Sequence, residues 1–446
     1  MENYRDLSFW HASLDEQIEP RQPLDGDIQA DVVIIGGGYA GLWSAYYLKD
    51  RDPGLDVVVL EARFSGFGAA GRNGGWCSLN LSQFESLVRD PDTGAQATDI
   101  LPHLFDMVDE VGRVAEREGI DCHFHKGGVV HVAVTEKQLR HVHRTHETFD
   151  RIGHGAAQAW LTVDEMAAHV NMAGSLGGTF SPHCAVVHPA RLARGLASAA
   201  VRKGVRLYEQ TPATAIRAGI VDTARGRVRA DTVVIATEGY SGGLSETARR
   251  LLPIHAFMIV TEPLADRVFD EIGLADRPAF ADGRLLVTYG QRTRDNRLAF
   301  GYGARTYLDG GPRDRFSPSD PLFRTLEEIL AKLFPAVRGA RIDQTWGGPM
   351  GASRSLRSFV RYDTEARIGW LGGFLGNGVA ATNLGGRAMA DLVLGRQTDL
   401  TELSLLVEKD SDPLTRKGRW EPTPVPWMGT EFRFRRMAAA DRGDAG

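Results

Sequence analysis

The chain has 446 residues, 43% hydrophobic and 24% charged, with a formal net charge of −5. That is the profile of an ordinary globular protein, long enough for two or three domains and a large core. The acidic balance gives no electrostatic reason for a nucleic-acid partner. Three scattered cysteines, Cys77, Cys122 and Cys184, offer neither a disulfide framework nor a metal-ligand spacing, so no metal is expected.

Residues 1–26 form a polar lead-in, whose aromatic pair Phe9-Trp10 is expected to dock on the body of the protein. No apolar signal core precedes Ala30, and no run reaches the roughly 18 apolar residues of a membrane span. The reading is a cytoplasmic protein.

Asp31–Glu61 is the stretch around which the rest of the chain is organised. An apolar β-branched run, Val32–Ile35, leads into Gly36-Gly37-Gly38-Tyr39-Ala40-Gly41 and a helix-like Leu42–Asp50. Val57–Leu60 then forms a second strand closed by Glu61. Gly36 permits the tight turn, Gly38 lets a pyrophosphate approach the backbone, and Gly41 lets helix and strand pack closely. The helix N-terminus offers free N–H groups and partial positive charge to phosphates. Glu61 is placed to accept hydrogen bonds from both ribose hydroxyls, and its charge disfavours a 2′-phosphate. The pattern calls for FAD or NAD rather than NADP.

Phe64–Cys77 is too glycine-dense for a regular element, with Gly66, Gly68, Gly71, Gly74 and Gly75 around Arg72-Asn73. A cation and an amide beside closely approaching backbone suit a second grip on the pyrophosphate and a flat ring. Asp99–Glu118 carries apolar residues at helical spacing, Gly127–Val134 reads as a strand, and Glu136–Ile152 reads as a polar helix. His141, His143 and His146 on that helix do not share one face, so a solvated surface is expected. His188-Pro189 opens the helix Ala190–Lys203, where Pro189 is explained by its fixed φ and His188 reads as structural. Val205–Tyr208, Thr211–Ile216 and Val228–Thr237 read as strands that extend the first sheet.

From Leu251 the character changes. Ile254–Thr261, Leu285–Tyr289 and Leu298–Gly303 read as antiparallel strands with one face toward a ligand cavity, and Phe323–Phe334 as a helix stopped by Pro335. A turn at Trp346-Gly347-Gly348 and then Ser353-Arg354 come next. Ile368–Leu371, Gly372-Gly373-Phe374-Leu375-Gly376-Asn377-Gly378-Val379 and Ala380–Leu394 repeat the strand, glycine turn and helix of the opening. Gly385-Gly386 would cost that helix about 1 kcal/mol each, which close packing would explain. The tail from Gln397 is expected to wrap back on the body and fray.

Gly36–Gly41, Glu61-Ala62, Gly71–Gly75, His188-Pro189 and Gly376–Val379 together resemble the FAD-dependent amine and amino-acid oxidoreductases of the D-amino-acid oxidase superfamily. That superfamily includes glycine oxidase and sarcosine oxidase, and the pattern is closest to its gamma-glutamylputrescine oxidase-like amine oxidases. The resemblance implies an α/β fold: a Rossmann-like FAD-binding domain from residues 27–86, 180–241 and 367–396. An inserted antiparallel-sheet substrate domain would come from residues 87–179 and 242–366, with a tail at 397–446. It implies that Gly36, Gly38, Tyr39, Ala40 and Gly41 hold the pyrophosphate, and that Glu61, Ala62 and Arg63 flank the adenosine ribose. Ala213 would meet the adenine edge. Gly68, Gly71, Arg72, Asn73, Gly74, Gly75 and Trp76 would lie along the ribityl chain and the ring. Thr237, Gly373, Gly376, Asn377, Gly378 and Val379 would border the flavin, the last turn aiming N–H groups at N1 and O2.

Two departures stand out: Asn377 replaces the family's usual His, and Ala299 stands near the place of the sarcosine oxidases' flavin lysine. No cysteine lies near Trp346–Arg354, so FAD is expected to be non-covalent, with Cys77 the alternative attachment point. The implied activity is oxidation of a small amine or amino acid by hydride transfer to flavin N5, with O2 or another acceptor taking the electrons. Arg354 is the expected anchor of an anionic substrate group, Arg357 a further candidate cation, and Trp346, Tyr289 and Tyr302 an aromatic wall. A NAD-dependent dehydrogenase and a flavin-binding protein without turnover remain open alternatives. The second glycine turn argues against the first of these, because NAD needs no such helix.

Overall fold

The computed structural model describes residues 3–81, 84–409 and 419–442. Its first sheet, nine-stranded among the described residues, has seven strands in the order Val407–Lys409, Phe359–Asp363, Ile368–Gly372, Gly226–Ile235, Ile28–Ile35, Val57–Leu60, Arg206–Tyr208, and two more, Ile220–Thr223 and Ala213–Arg217, branch from Gly226–Ile235. The five strands from Ile368–Gly372 to Arg206–Tyr208 pair in parallel. A parallel sheet is covered on both faces, so its strands are continuous apolar runs. Ile28–Ile35 shows why: Val32 and Ile34 pack with Trp43 and Tyr46 on one side. Val33 and Ile35 pack with Val58, Leu60 and Ile235 on the other.

The second sheet runs Ile342–Ser353, Leu251–Thr261, Leu298–Arg305, Thr288–Arg292, Ala279–Asp282, Val129–Val132, Gly178–Ser181, Ala159–Leu161, eight strands among the described residues. One face packs on the helix Pro321–Leu333 through Phe257, Phe300, Phe323 and Leu326. No helix of the described residues is long and apolar enough to cross a membrane.

Three sequence expectations need correction. Trp346-Gly347-Gly348 is no turn but the middle of the twelve-residue strand Ile342–Ser353. The glycines there admit neighbours: a Cβ on Gly348 would stand 3.0 Å from Arg72 Cδ, and one on Gly347 2.8 Å from the Ala256 carbonyl. The strand expected at Leu285–Tyr289 begins only at Thr288, and Leu285–Val287 form a bend. Phe359–Asp363, expected within the substrate segment, pairs with Ile368–Gly372 in the nine-stranded sheet. Ala213–Arg217 extends the first sheet as expected, antiparallel to Ile220–Thr223, which itself pairs antiparallel with Gly226–Ile235.

The long helix spans Gly94–Arg117 and the polar one Glu136–Arg151, close to expectation. The tail returns to the body: the Trp420 indole N–H donates to the Ala352 carbonyl at 2.9 Å, and a helix spans Val425–Arg442. Residues 410–418 and 443–446 of the tail expected to wrap and fray lie outside the described residues.

Candidate active site

A cavity of about 1140 Å³ lies between the two sheets. It exceeds the roughly 300–1,000 Å³ typical of pockets for one drug-sized ligand. At one end it meets two helix N-termini. The helices Tyr39–Arg51 and Gly378–Val393 begin at Gly38 and Asn377, neither of which caps its helix with a side chain. All four of Gly38, Tyr39, Asn377 and Gly378 line the cavity. Uncapped N–H groups at two helix starts form a receptor for anionic groups. The helices can converge because Gly386 lies against Trp43 and Ser44: a Cβ there would stand 2.6 Å from Trp43 Cβ.

The opening turn is close-packed. A Cβ on Gly41 would lie 2.0 Å from the Gly36 carbonyl oxygen, and Gly36 itself has φ +112°. A Cβ on Gly38 would meet nothing within 4 Å, which leaves a cradle facing the cavity. Glu61 closes this end. Its Oε2 accepts the Gly37 N–H at 2.7 Å and its Oε1 the Arg63 N–H at 2.8 Å. Burial pushes its carboxyl up to about 7, against the lowering effect of those N–H groups.

The glycine block is held from behind. The Trp10 indole donates to the Asn73 carbonyl and the Trp346 indole to that of Arg72, both at 2.8 Å. Ser8 Oγ donates to the Gly71 carbonyl and Gln291 Nε2 to that of Gly74. The Phe9-Trp10 lead-in thus docks as expected, and it docks on the loop bordering the cavity. Arg72 is buried. Its Nε donates to the Phe67 carbonyl, Nη1 meets Asp314, and Nη2 has no hydrogen-bond partner among the described residues. Tyr240 donates to the same Asp314.

Most residues expected at the cofactor line the cavity: Gly36, Gly38, Tyr39, Ala40, Glu61, Ala62, Arg63, Gly68, Arg72, Asn73, Gly74, Trp76, Ala213, Thr237, Gly376, Asn377, Gly378 and Val379. Gly41, Gly71, Gly75 and Gly373 do not. A Cβ on Gly71 or Gly75 would collide with His11 or Gln291, so these glycines serve protein packing. The Gly373 N–H donates to Glu238.

The substrate residues fare differently. Tyr289 lines the cavity, its ring against Gly74. Trp346 is buried behind the Arg72 loop, 6.2 Å from Trp10, and is not a wall residue. Tyr302 lies in the core on the helix side of the second sheet, which its place in the strand dictates. Arg354 is exposed at the turn after Ile342–Ser353 and paired with Glu421 of the tail. Arg357 is exposed as well. Neither arginine lines the cavity, and Arg354 is corrected from substrate anchor to surface ion pair.

Sequence reasoning missed several groups. Glu238 follows Thr237 at φ +42°. Its carboxylate accepts the Gly373 and Phe374 N–H groups at 3.2 and 2.9 Å, and burial pushes it up to about 7. The one sequence signal was a charged residue just past an apolar strand end. Burial pushes the His131 imidazole down to about 4, so it is neutral at pH 7. His141 lines the cavity rather than facing solvent only. His143 stays on the surface beside Glu147, and His146 bonds the Gln158 carbonyl. His188 caps the helix Pro189–Arg202 by accepting from the Arg191 N–H.

The residues present fit FAD. Two uncapped helix starts, the open Gly38 cradle, the ribose-ready Glu61 and an unpartnered Arg72 nitrogen lie around one cavity. A family model of FAD dependent oxidoreductases, DAO, matches residues 31–392. The gamma-glutamylputrescine oxidoreductase of Escherichia coli is 33% identical over 398 residues, 87% of this chain and 89% of that one. The probable oxidoreductase OrdL of Rhizobium meliloti is 30% identical over 90% of this chain and 91% of its own. Among solved structures, glycine oxidase from Geobacillus kaustophilus superposes with a TM-score of 0.71 at 24% identity, over 84% of this chain and 98% of that one.

Proposed function

Because the chain belongs to the DAO family of FAD dependent oxidoreductases, we propose that it oxidises the C–N bond of a small amine or amino acid with non-covalently held FAD. The observation that carries this reading is the meeting of two uncapped helix N-termini and Glu61 at one end of a cavity whose other wall is an antiparallel sheet. Gly36–Gly41, Glu61 and Gly376–Val379 would hold FAD, which would supply a hydride acceptor for the α C–H of the amine; the imine would hydrolyse to a carbonyl compound and an amine or ammonia, and O2, giving H2O2, or another acceptor would take the electrons.

The chain's own residues supply position and field. N–H groups of Gly376–Val379 would stabilise negative charge at flavin N1 and O2, as an oxyanion hole does. Glu238 fixes that turn by accepting from Gly373 and Phe374. Arg72 would add positive potential to the cavity, which would favour the neutral, reactive form of the amine. Tyr289 and the uncharged His131 would enclose the substrate without competing for a proton. The relatives that act on a gamma-glutamylated diamine and on glycine support an amine or amino acid as substrate. None of the three buried cysteines lines the cavity, which supports non-covalent FAD and a reducing, cytoplasmic setting.

The test is the purified protein with a panel of amines and amino acids, first with O2 and peroxide detection, then with an artificial electron acceptor. A yellow protein that releases FAD on acid precipitation and turns over a member of the panel is expected. Turnover with the artificial acceptor alone would make it a dehydrogenase. Bound flavin with no turnover of any amine would overturn the reading.

A further inference from the structure

The cavity is long. Its wall crosses the second sheet from Met350 on Ile342–Ser353 to Asp282 on Ala279–Asp282, four strand steps, or roughly 19 Å at about 4.8 Å per step. Gly376 of the second helix turn lies near Met350, so this end is the one the cofactor reaches. The far end opens into a lobe bordered by Glu85, Arg89, His141, Thr145, Arg284 and Val287. A substrate as small as glycine would leave that lobe empty.

Arg284 is mounted there in an unusual way. It sits in the bend after Ala279–Asp282, and its Nε donates to Oδ2 of Asp282, a fully buried carboxylate. Thr288 Oγ1 donates to the other oxygen of Asp282 at 2.7 Å, so the carboxylate is fixed from both sides. Asp441 of the C-terminal helix accepts the Leu285 and Leu286 N–H groups at 3.0 and 3.1 Å, which pins the rest of the bend. Arg284 makes no hydrogen bond through its two terminal nitrogens to the described residues, and its side chain retains 15% exposure on the cavity wall. The other charged groups of the lobe are engaged with each other: Arg89 lies 3.8 Å from Glu85, and Thr145 donates to Glu85. A guanidinium braced at Nε, with a free pair of NH2 groups, is built for two parallel hydrogen bonds to a carboxylate.

We propose that Arg284, braced by Asp282, anchors a carboxylate at the far end of an extended amine substrate, whose oxidised C–N bond lies several bonds away beside the cofactor. The proposal rests on the amine-oxidising function proposed for the chain and names its substrate as a long, distally anionic amine. Arg284 acts on specificity by fixing the tail and so the reach of the amine.

The test compares holoenzyme turnover of N-glutarylputrescine, which carries a distal carboxylate, with that of the neutral N-butyrylputrescine. Wild type should favour the anionic amine in kcat/KM by about tenfold or more, the value of a charged hydrogen-bonded pair. Arg284→Gln should abolish that preference, and Arg284→Lys, which keeps charge without the fork, should retain part of it. Glutarate alone should raise the Tm of wild type and not that of Arg284→Gln. A wild type without preference, a preference surviving Arg284→Gln, or equal loss on both amines would overturn the anchor. If no amine is oxidised, glutarate decides: stabilisation that requires Arg284 keeps the anchor and sinks the amine reading, and no stabilisation sinks the anchor.

Discussion

The two ends of the cavity are made in opposite ways. At the proposed cofactor end, Gly36, Gly38 and Glu61 come from one strand–helix–strand unit, close-packed at Gly41, that presents mostly backbone to the cavity. At the far end, Glu85, His141, Thr145 and Arg284 come from separate segments and present side chains. A backbone site must be written in glycines and strand periodicity, which sequence displays. A side-chain site across a sheet is assembled by tertiary packing, and its members carry no local mark.

The sharpest way to break this contrast is at Gly41. An alanine there would drive a methyl to 2.0 Å from the Gly36 carbonyl and 3.3 Å from Ile34 Cγ2. Neither neighbour can retreat without moving the strand or the helix start. Gly41→Ala should destabilise the protein by about 1–3 kcal/mol and strip it of flavin. Thermal unfolding and the absorbance of the purified variant measure both. A yellow variant with wild-type Tm would show that the turn tolerates a side chain and that its glycines are not obligatory.

Glu61 comes next. With its carboxyl pushed up to about 7, it is largely protonated below that pH and loses acceptor strength toward ribose hydroxyls. FAD affinity for the apoprotein should therefore rise as pH increases toward and through 7, then level off. Glu61→Ala should bind FAD more weakly by on the order of 1.5–3 kcal/mol per lost charged hydrogen bond. It should also lose the pH step. Flavin titrations at several pH values decide this, and an Ala variant with the same step would assign it to another group, such as Glu238.

Legibility follows the same division. The glycine turns, Glu61, the parallel strands and the long helices were all readable, because each depends on neighbours a few residues away. The Trp346 stretch misled because two adjacent glycines suggest a turn, whereas here they make room for Arg72 and the Ala256 carbonyl within a strand. The bend at Leu285–Val287 misled because an apolar run reads as a strand; the Asp441 carboxylate, far along the chain, holds it out of the sheet. Glu238 and Arg284 were passed over because their partners, Gly373 and Phe374 for one and buried Asp282 for the other, give them meaning only in the fold.

Arg354 is the smallest expected effect and the clearest check on this lesson. Its position in sequence, between a glycine pair and the strand that delivers Gly376, argued for the substrate side of the ring. The strand Ile342–Ser353 instead runs straight through the glycines and releases Arg354 at its far end, with 49% of the side chain exposed. There its guanidinium pairs with Glu421, itself 41% exposed, and holds that carboxyl below its usual range. A pair so exposed is screened by water and salt and contributes little. Arg354→Ala should leave kcat/KM for anionic and neutral amines alike within about twofold of wild type, the scatter expected of a surface substitution. A selective loss on anionic amines, with Arg284→Gln silent, would return the anchor to Arg354 and require the tail segment at Glu421 to move aside when substrate binds.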